Sequence, residues 1–170
     1  MVFAAVLNTL QDGEAMSAAM GFLEKLKQAF SADTHLLDEL AVLAGKNEDL
    51  VARLTRHADA CPYANVKAGV EALAAKEAPH ARTLARVLQQ RGRWPRPPRP
   101  RREGSNNWER LSADLEILGE LDTGLHRAAA EWEGIDPELA DQLLKLALED
   151  DENEGELRKL ALLCDPQALN

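Results

Sequence analysis

The sequence predicts an all-α fold made of two long helical hairpins, and three observations lead to this prediction. Aromatic residues are only 4% of the 170 residues, whereas Ala, Leu and charged residues dominate, which favours helix over strand. Apolar residues recur at alternating spacings of three and four in four segments, which is the pattern of amphipathic helices. A basic, proline-rich stretch divides these segments into two pairs. The composition, 45% hydrophobic and 29% charged, is typical of a soluble globular protein.

The first predicted element is a short amphipathic helix within residues 1–32. Its apolar stripe is interrupted by Lys27 and otherwise consists of Met16, Met20, Leu23 and Phe30. We expect this helix either to dock on the rest of the protein or to join two copies of it, so self-association as a dimer is predicted. The opening MVFAAVL has no basic region and no cleavage site, and therefore no signal peptide is expected.

The first hairpin is predicted over residues 33–91. Asp33 is a suitable N-cap for a helix that runs to Ala60. The Cys61-Pro62 pair ends that helix, and a second helix follows to the end of the hairpin. The stripe of the first helix reads Leu36, Leu40, Leu43, Asn47, Leu50, Leu54 and His57.

Residues 92–106 are predicted to form a crossover linker between the hairpins. Four prolines between positions 95 and 100 forbid helix and favour an extended polyproline II backbone. With six arginines and one glutamate, the stretch 91–107 carries a local charge of +5 in a chain whose net charge is −9. We interpret it as a semi-rigid spacer that lies against an acidic body. The alternatives are a ligand for an SH3-type domain, an anionic-lipid contact and a nucleic-acid contact.

The second hairpin, residues 107–164, repeats the pattern of the first. Asn106 or Asn107 can cap its first helix, and the Asp136-Pro137 pair starts its second helix. When positions are counted back from the two turn prolines, the stripes of the first and third helices match position for position, which indicates an internal repeat. The stripe of the third helix reads Leu111, Leu115, Leu118, Asp122, Leu125, Ala129 and Trp132.

Each apolar stripe is interrupted near its middle by a polar residue. Asn47 lies 15 residues before Pro62 and Glu77 lies 15 residues after it, so both side chains are expected at one depth of an antiparallel hairpin. Polar residues interrupt the second hairpin at a similar depth. Buried polar groups must satisfy one another or hold an ion. We therefore predict one buried polar layer with six members, which are also the candidate metal ligands: Asn47, Glu77, His80, Asp122, Asp150 and Asn153.

Two segments of the sequence resemble a known family. LAAKEAPHARTL contains Glu77-x-x-His80, and LALEDDENEGEL lies at the matching place in the fourth helix. Together with the repeat and the linker, they resemble the ferritin-like superfamily, rubrerythrin-like domains in particular, over residues 33–164. The resemblance implies a four-helix bundle with a crossover along its length. It also implies a di-metal centre built from four carboxylates and two histidines.

The sequence departs from that family pattern at several of the ligand positions. Asn47 and Asn153 stand where the resemblance implies a carboxylate and a histidine, and Asp122 and Asp150 are one methylene shorter than glutamate. Pro79 interrupts the second helix between its two best ligands. Three interpretations stay open: a metal-free polar layer, a single divalent cation such as iron or manganese, and a working di-iron centre.

These observations lead to a functional prediction and two alternatives. We predict a divergent ferritin-like protein with a depleted metal site and a non-catalytic role in binding or assembly, so an enzyme is not favoured. The first alternative is a metal-dependent ferritin-like oxidoreductase or metal-binding protein. The second alternative is an adaptor that binds a protein partner through the Arg/Pro linker. No nucleophile with a neighbouring histidine and acid, and no phosphate-binding glycine loop, is recognisable.

The composition also limits which partners are expected and which cellular location is favoured. The acidic net charge argues against general affinity for nucleic acid. No apolar run approaches the roughly 20 residues that a membrane-spanning helix needs, so no membrane partner is expected. The two cysteines, Cys61 and Cys164, are too few for a disulfide framework and fit a reducing, cytoplasmic location.

Overall fold

The computed structural model describes residues 34–165, and these residues form four helices. They are α1 (residues 34–60), α2 (Ala64–Gln90), α3 (Asn107–Trp132) and α4 (Pro137–Leu162). The described residues contain no strand, which confirms the prediction of an all-α four-helix bundle. Within them, no helix has an apolar stretch long enough to cross a bilayer. The predicted N-terminal helix lies outside the described residues.

Side chains at the helix starts explain why α3 and α4 begin where they do. The Asn106 side chain accepts a hydrogen bond from the backbone N–H of Glu109, and the Glu109 carboxylate accepts one from the backbone N–H of Ser105. The first of these bonds satisfies an amide that the first turn of α3 leaves unpaired, and the second holds the residue before the cap against that turn. At α4, the Asp136 side chain accepts from the backbone N–H of Leu139, and a proline follows as the first helical residue. Of the two predicted caps for α3, Asn106 is the one that is used.

Polar contacts between the helices define their directions. Lys46 pairs with Glu120 and Arg53 pairs with Asp114, so α1 and α3 are antiparallel. The pairs between α2 and α4 also run in opposite order along the two helices, as in Lys76 with Glu156 and His80 with Asp150. The turns after α1 and after α3 are short. Helices α2 and α3 are therefore parallel, and the chain between them must traverse the length of the bundle.

Residues 91–106 make this traverse along the face formed by α1 and α3. The backbone N–H of Arg96 donates to the carbonyl of Ala41 at 2.8 Å, and the Arg101 guanidinium pairs with Glu120 at 2.7 Å. Closer to the start of α3 along the chain, the Glu103 carboxylate pairs with Arg56 of α1 at 2.8 Å. Contacts of opposite charge thus hold the linker against α1 and α3.

Close backbone approach between α1 and the crossover requires glycine at position 45. A Cβ added to Gly45 would lie 1.8 Å from the carbonyl oxygen of Arg96 and 2.5 Å from its carbonyl carbon. Both atoms belong to the backbone, so they cannot move aside as a side chain could. Gly45 therefore fixes where the crossover lies on α1.

The buried face of α3 differs from the predicted stripe. Leu115 and Asp122 were expected in the core, but both are half-buried, whereas Asp114, Ile117 and Leu121 are fully buried. Because α3 contacts α1 on one side and α4 on the other, its buried face is wider than a strict three-and-four stripe. Asp122 consequently lies at the edge of this face.

Candidate functional site

Five of the six predicted polar residues form one layer near the middle of the bundle. Asn47 comes from α1, Glu77 and His80 from α2, and Asp150 and Asn153 from α4. Their side chains are almost completely removed from solvent, since each residue is at most 4% exposed. They interrupt rows of buried leucines, so the layer has apolar neighbours along the bundle axis.

The Glu77 carboxylate lies at the centre of the hydrogen bonds in this layer. Asn47 Nδ2 donates to its Oε2 at 2.9 Å, and Asn153 Nδ2 donates to its Oε1 at 2.7 Å. Burial, followed by the charge of Asp150, raises the pKa of Glu77 above its ordinary value of 4.5, while His80 and the two amides oppose this shift. Two helices other than its own thus provide a hydrogen-bond donor to this carboxylate.

His80 lies between two carboxylates of α4. Its Nδ1 is 2.8 Å from Asp150 Oδ1, and its Nε2 is 2.7 Å from Glu149 Oε2. Burial by itself lowers the pKa of His80. The hydrogen bond to Asp150 and the charges of Glu77 and Asp150 outweigh that effect and raise the pKa to about 9. At neutral pH the ring is therefore an imidazolium that donates one hydrogen bond to each carboxylate.

Glu149 is a member of this site that the sequence analysis missed. It belongs to the acidic run of α4, from which only Asp150 and Asn153 were predicted to join the layer. Its side chain is partly exposed, yet its carboxylate reaches His80 at the edge of the layer. Its position next to Asp150 gave no signal, because adjacent residues of a helix do not share a face.

The structure does not bring Asp122 into the cluster of Glu77, His80 and Asp150. Its Oδ1 lies 3.0 Å from Nδ1 of His126, one turn further along α3. The same ring nitrogen contacts the backbone carbonyl of Asp122 at 3.1 Å. The negative charge of Asp122 still contributes to raising the pKa of Asp150, for which burial is the largest cause. Asp122 is therefore a charged neighbour at the edge of the layer.

The donor set of the layer fits one hard cation better than two. Glu77, His80 and Asp150 each offer a ligand atom, and these three atoms lie within 4.8 Å of one another. Two buried oxygens nearby, Asp150 Oδ2 and Asn47 Oδ1, have no hydrogen-bond partner. Two carboxylates and an imidazole are ligands that manganese and iron accept. A second ion would need carboxylate and imidazole ligands at the positions that Asn47 and Asn153 occupy.

A second buried polar cluster lies nearer to the turn between α1 and α2. Arg53 Nε donates to Asp114 Oδ1 at 2.7 Å, and His57 Nδ1 contacts Asp114 Oδ2 at 2.5 Å. All three residues are at most 4% exposed. His57, the last residue of the predicted stripe of α1, is buried. Asp114 was missed, although it lies three residues after Leu111 and four before Leu118, which places it on the same helix face.

Comparison with known proteins gives no family for this chain. No family model matches the sequence, and no curated protein is significantly similar to it.

Proposed function

We propose that the protein is a divergent ferritin-like bundle in which a hydrogen-bonded polar layer replaces the di-metal centre, and that it acts by binding or assembly. The observation that carries this proposal is the pairing of Glu77. Both of its oxygens accept a hydrogen bond from an asparagine amide, one from α1 and one from α4. The two asparagines stand at the positions of a carboxylate and a histidine in the ferritin-like pattern. They convert metal-ligand positions into hydrogen-bond donors that pair with both oxygens of the buried carboxylate without an ion.

Two further features support a ferritin-like origin for the bundle. The parallel arrangement of α2 and α3 requires a crossover along the bundle, as the ferritin-like topology does. Glu77 and His80 are three residues apart at the middle of α2, the spacing that bundle di-metal proteins use for one ligand pair. The loss of ligands from α1 and α4, together with the position of Asp122, argues against oxidoreductase chemistry at two irons.

Metal analysis combined with thermal unfolding tests this proposal. We expect the full chain, expressed with added iron or manganese, to retain far less than one ion per chain after gel filtration. Its unfolding midpoint should be the same with EDTA and with excess manganese, because both oxygens of Glu77 are hydrogen bonded without an ion. One ion per chain, with a midpoint that EDTA lowers, would contradict the proposal.

The assembly part of the proposal has its own measurement. Light scattering coupled to gel filtration, over a wide range of full-chain concentration, should show a species larger than the monomer. A monomer at every concentration would restrict the role to binding another molecule.

A single divalent cation is the second candidate, and the cluster of Glu77, His80 and Asp150 favours it. In that case the residues of this chain would hold one manganous or ferrous ion and keep it in an environment without solvent. Glu77→Gln and Asp150→Asn should then abolish a metal-dependent rise of the unfolding midpoint. Glu156→Gln is the matched control, because Glu156 is an exposed carboxylate of α4 that pairs with Lys76 instead. Equal metal responses in all three variants would exclude this candidate.

A further inference from the structure

The two cysteines of the chain lie at the same end of the bundle. Cys61 belongs to the turn between α1 and α2, where its thiol contacts the carbonyl of Tyr63, and it is 9% exposed. Cys164 follows the last turn of α4 and is half-buried. Both thiols are free, and Cys164 packs against the apolar core to which Cys61 belongs.

The register between α2 and α4 brings these residues together. A Cβ added to Gly69 would lie 2.6 Å from Leu160 Cδ2, so the two helices are in close contact at this level. Because the helices are antiparallel, one further turn along α4 from Leu160 corresponds to one turn back along α2 from Gly69. Cys164 therefore reaches the level of the first turn of α2, at the end of the bundle that also holds the turn with Cys61.

The electrostatics of Cys164 agree with this placement. Burial is the largest cause that raises the pKa of its thiol above the ordinary value of 9.0, and the proximity of Cys61 raises it further. This effect of Cys61 on Cys164 agrees with two thiols that lie in the same part of the core. The raised pKa keeps Cys164 as a thiol at neutral pH.

We propose that Cys61 and Cys164 form a reversible intramolecular disulfide by exchange with a low-molecular-weight disulfide such as oxidised glutathione. The more exposed thiol, Cys164, loses its proton and attacks one glutathione sulfur, and the glutathione thiolate that leaves takes up a proton. Cys61 then loses its proton and attacks the Cys164 sulfur, which releases the second glutathione as a thiol. Two protein thiols are oxidised, and one glutathione disulfide is reduced to two thiols.

Such a bond would connect the end of α4 to the turn between α1 and α2. It would join the two hairpins covalently at a position far from the polar layer. Because it links residues distant in the sequence, it would restrict the unfolded chain strongly and stabilise the bundle. Oxidation of the two thiols would then raise the temperature at which the docked hairpins unfold.

Incubation of the full chain with oxidised glutathione at mildly alkaline pH tests the proposal. By denaturing mass spectrometry we expect a single covalent chain that lacks both free thiols and is lighter by two hydrogens, formed at a rate independent of protein concentration. Its unfolding midpoint should rise by on the order of 10 °C and return after reduction with dithiothreitol. A chain whose thiols both stay free, a stable glutathione adduct on Cys164, or dimers linked between chains would overturn the proposal.

Two variants provide the controls, and circular dichroism verifies that each is folded. Cys61→Ser should stop the exchange at the glutathione adduct of Cys164, because the second attacking thiol is missing. Cys164→Ser should leave the buried Cys61 unmodified and show no rise of the midpoint. A midpoint that rises equally in either variant would show that the stabilisation does not come from this bond.

Discussion

His80 and Asp150 connect α2 to α4 through the contact of Nδ1 with Oδ1 at 2.8 Å in the interior of the bundle. This contact joins one helix of each hairpin. It is also the contact that most strongly favours the charged form of the ring over the neutral form. The protonation of one histidine is therefore coupled to the docking of the two hairpins.

We predict that the protein loses stability as the pH rises from about 6.5 to about 9. The pKa of His80 is raised to about 9 in the folded state, against 6.5 for the ordinary group. The contribution of His80 protonation to the free energy of unfolding is therefore complete below pH 6.5 and is lost as the pH passes 9. Over that window the free energy of unfolding should fall by roughly 1 kcal/mol per pH unit. Urea unfolding at several pH values measures this slope. His80→Gln should flatten the slope, and an unchanged slope in that variant would contradict the assignment.

A second prediction concerns Glu77→Leu in the presence of EDTA. Removing the carboxylate leaves the amide donors of Asn47 and Asn153 buried without an acceptor and removes a charge beside His80. We expect a loss of about 2–5 kcal/mol in the free energy of unfolding. The triple variant that also carries Asn47→Leu and Asn153→Leu should recover part of this loss, because no unpaired amide remains. Chemical denaturation compares the three proteins, and a Glu77→Leu protein as stable as wild type would contradict the prediction.

A third prediction compares two glycine substitutions in helix interiors. Gly45→Ala places a methyl group against the backbone of Arg96 and should displace the crossover, with a loss of about 2 kcal/mol or more. Gly155→Ala is the matched control, because a Cβ at Gly155 meets no atom within 4 Å. That control should gain up to about 1 kcal/mol from the higher helix propensity of alanine. Thermal unfolding measures both variants, and equal effects would show that the crossover does not need the close approach.

A fourth prediction concerns Asp114→Asn in the second buried cluster. Arg53 is 2% exposed and pairs with Asp114, so the substitution leaves a buried guanidinium without its counter-charge. Breaking such a pair from one side costs about 3–5 kcal/mol. The control Glu103→Gln removes the partner of the exposed Arg56 and should cost at most about 1 kcal/mol. A small loss for Asp114→Asn in urea unfolding would contradict a role for this cluster in stability.

Much of the polar layer could be predicted because depth along a hairpin can be counted in the sequence. Asn47 and Glu77 are equidistant from Pro62, and their side chains are hydrogen bonded. Rotation about a helix axis is harder to derive, because it depends on how many neighbours a helix packs against. For this reason Asp122 was expected in the core and lies at its edge, whereas Asp114 was not considered and is fully buried.

The fold class followed from periodicity, while the contacts of long side chains did not. Glu149 reaches His80 from a partly exposed position, which the apolar pattern cannot show. The nearness of Cys61 and Cys164 depends on the register between α2 and α4, and that register is set by packing, such as the contact of Gly69 with Leu160.

The pairing of Glu77 has a consequence for how the two hairpins recognise each other during folding. Its contact with Asn47 forms within the first hairpin, but its contact with Asn153 forms only when the second hairpin docks. A bundle of leucine stripes alone would tolerate sliding by one turn with little change in apolar burial. A slip of that size would separate Asn153 from Glu77 and bury an oxygen of the carboxylate without a donor. The polar layer therefore specifies the register in which the two hairpins dock, among several registers that would bury a similar apolar area.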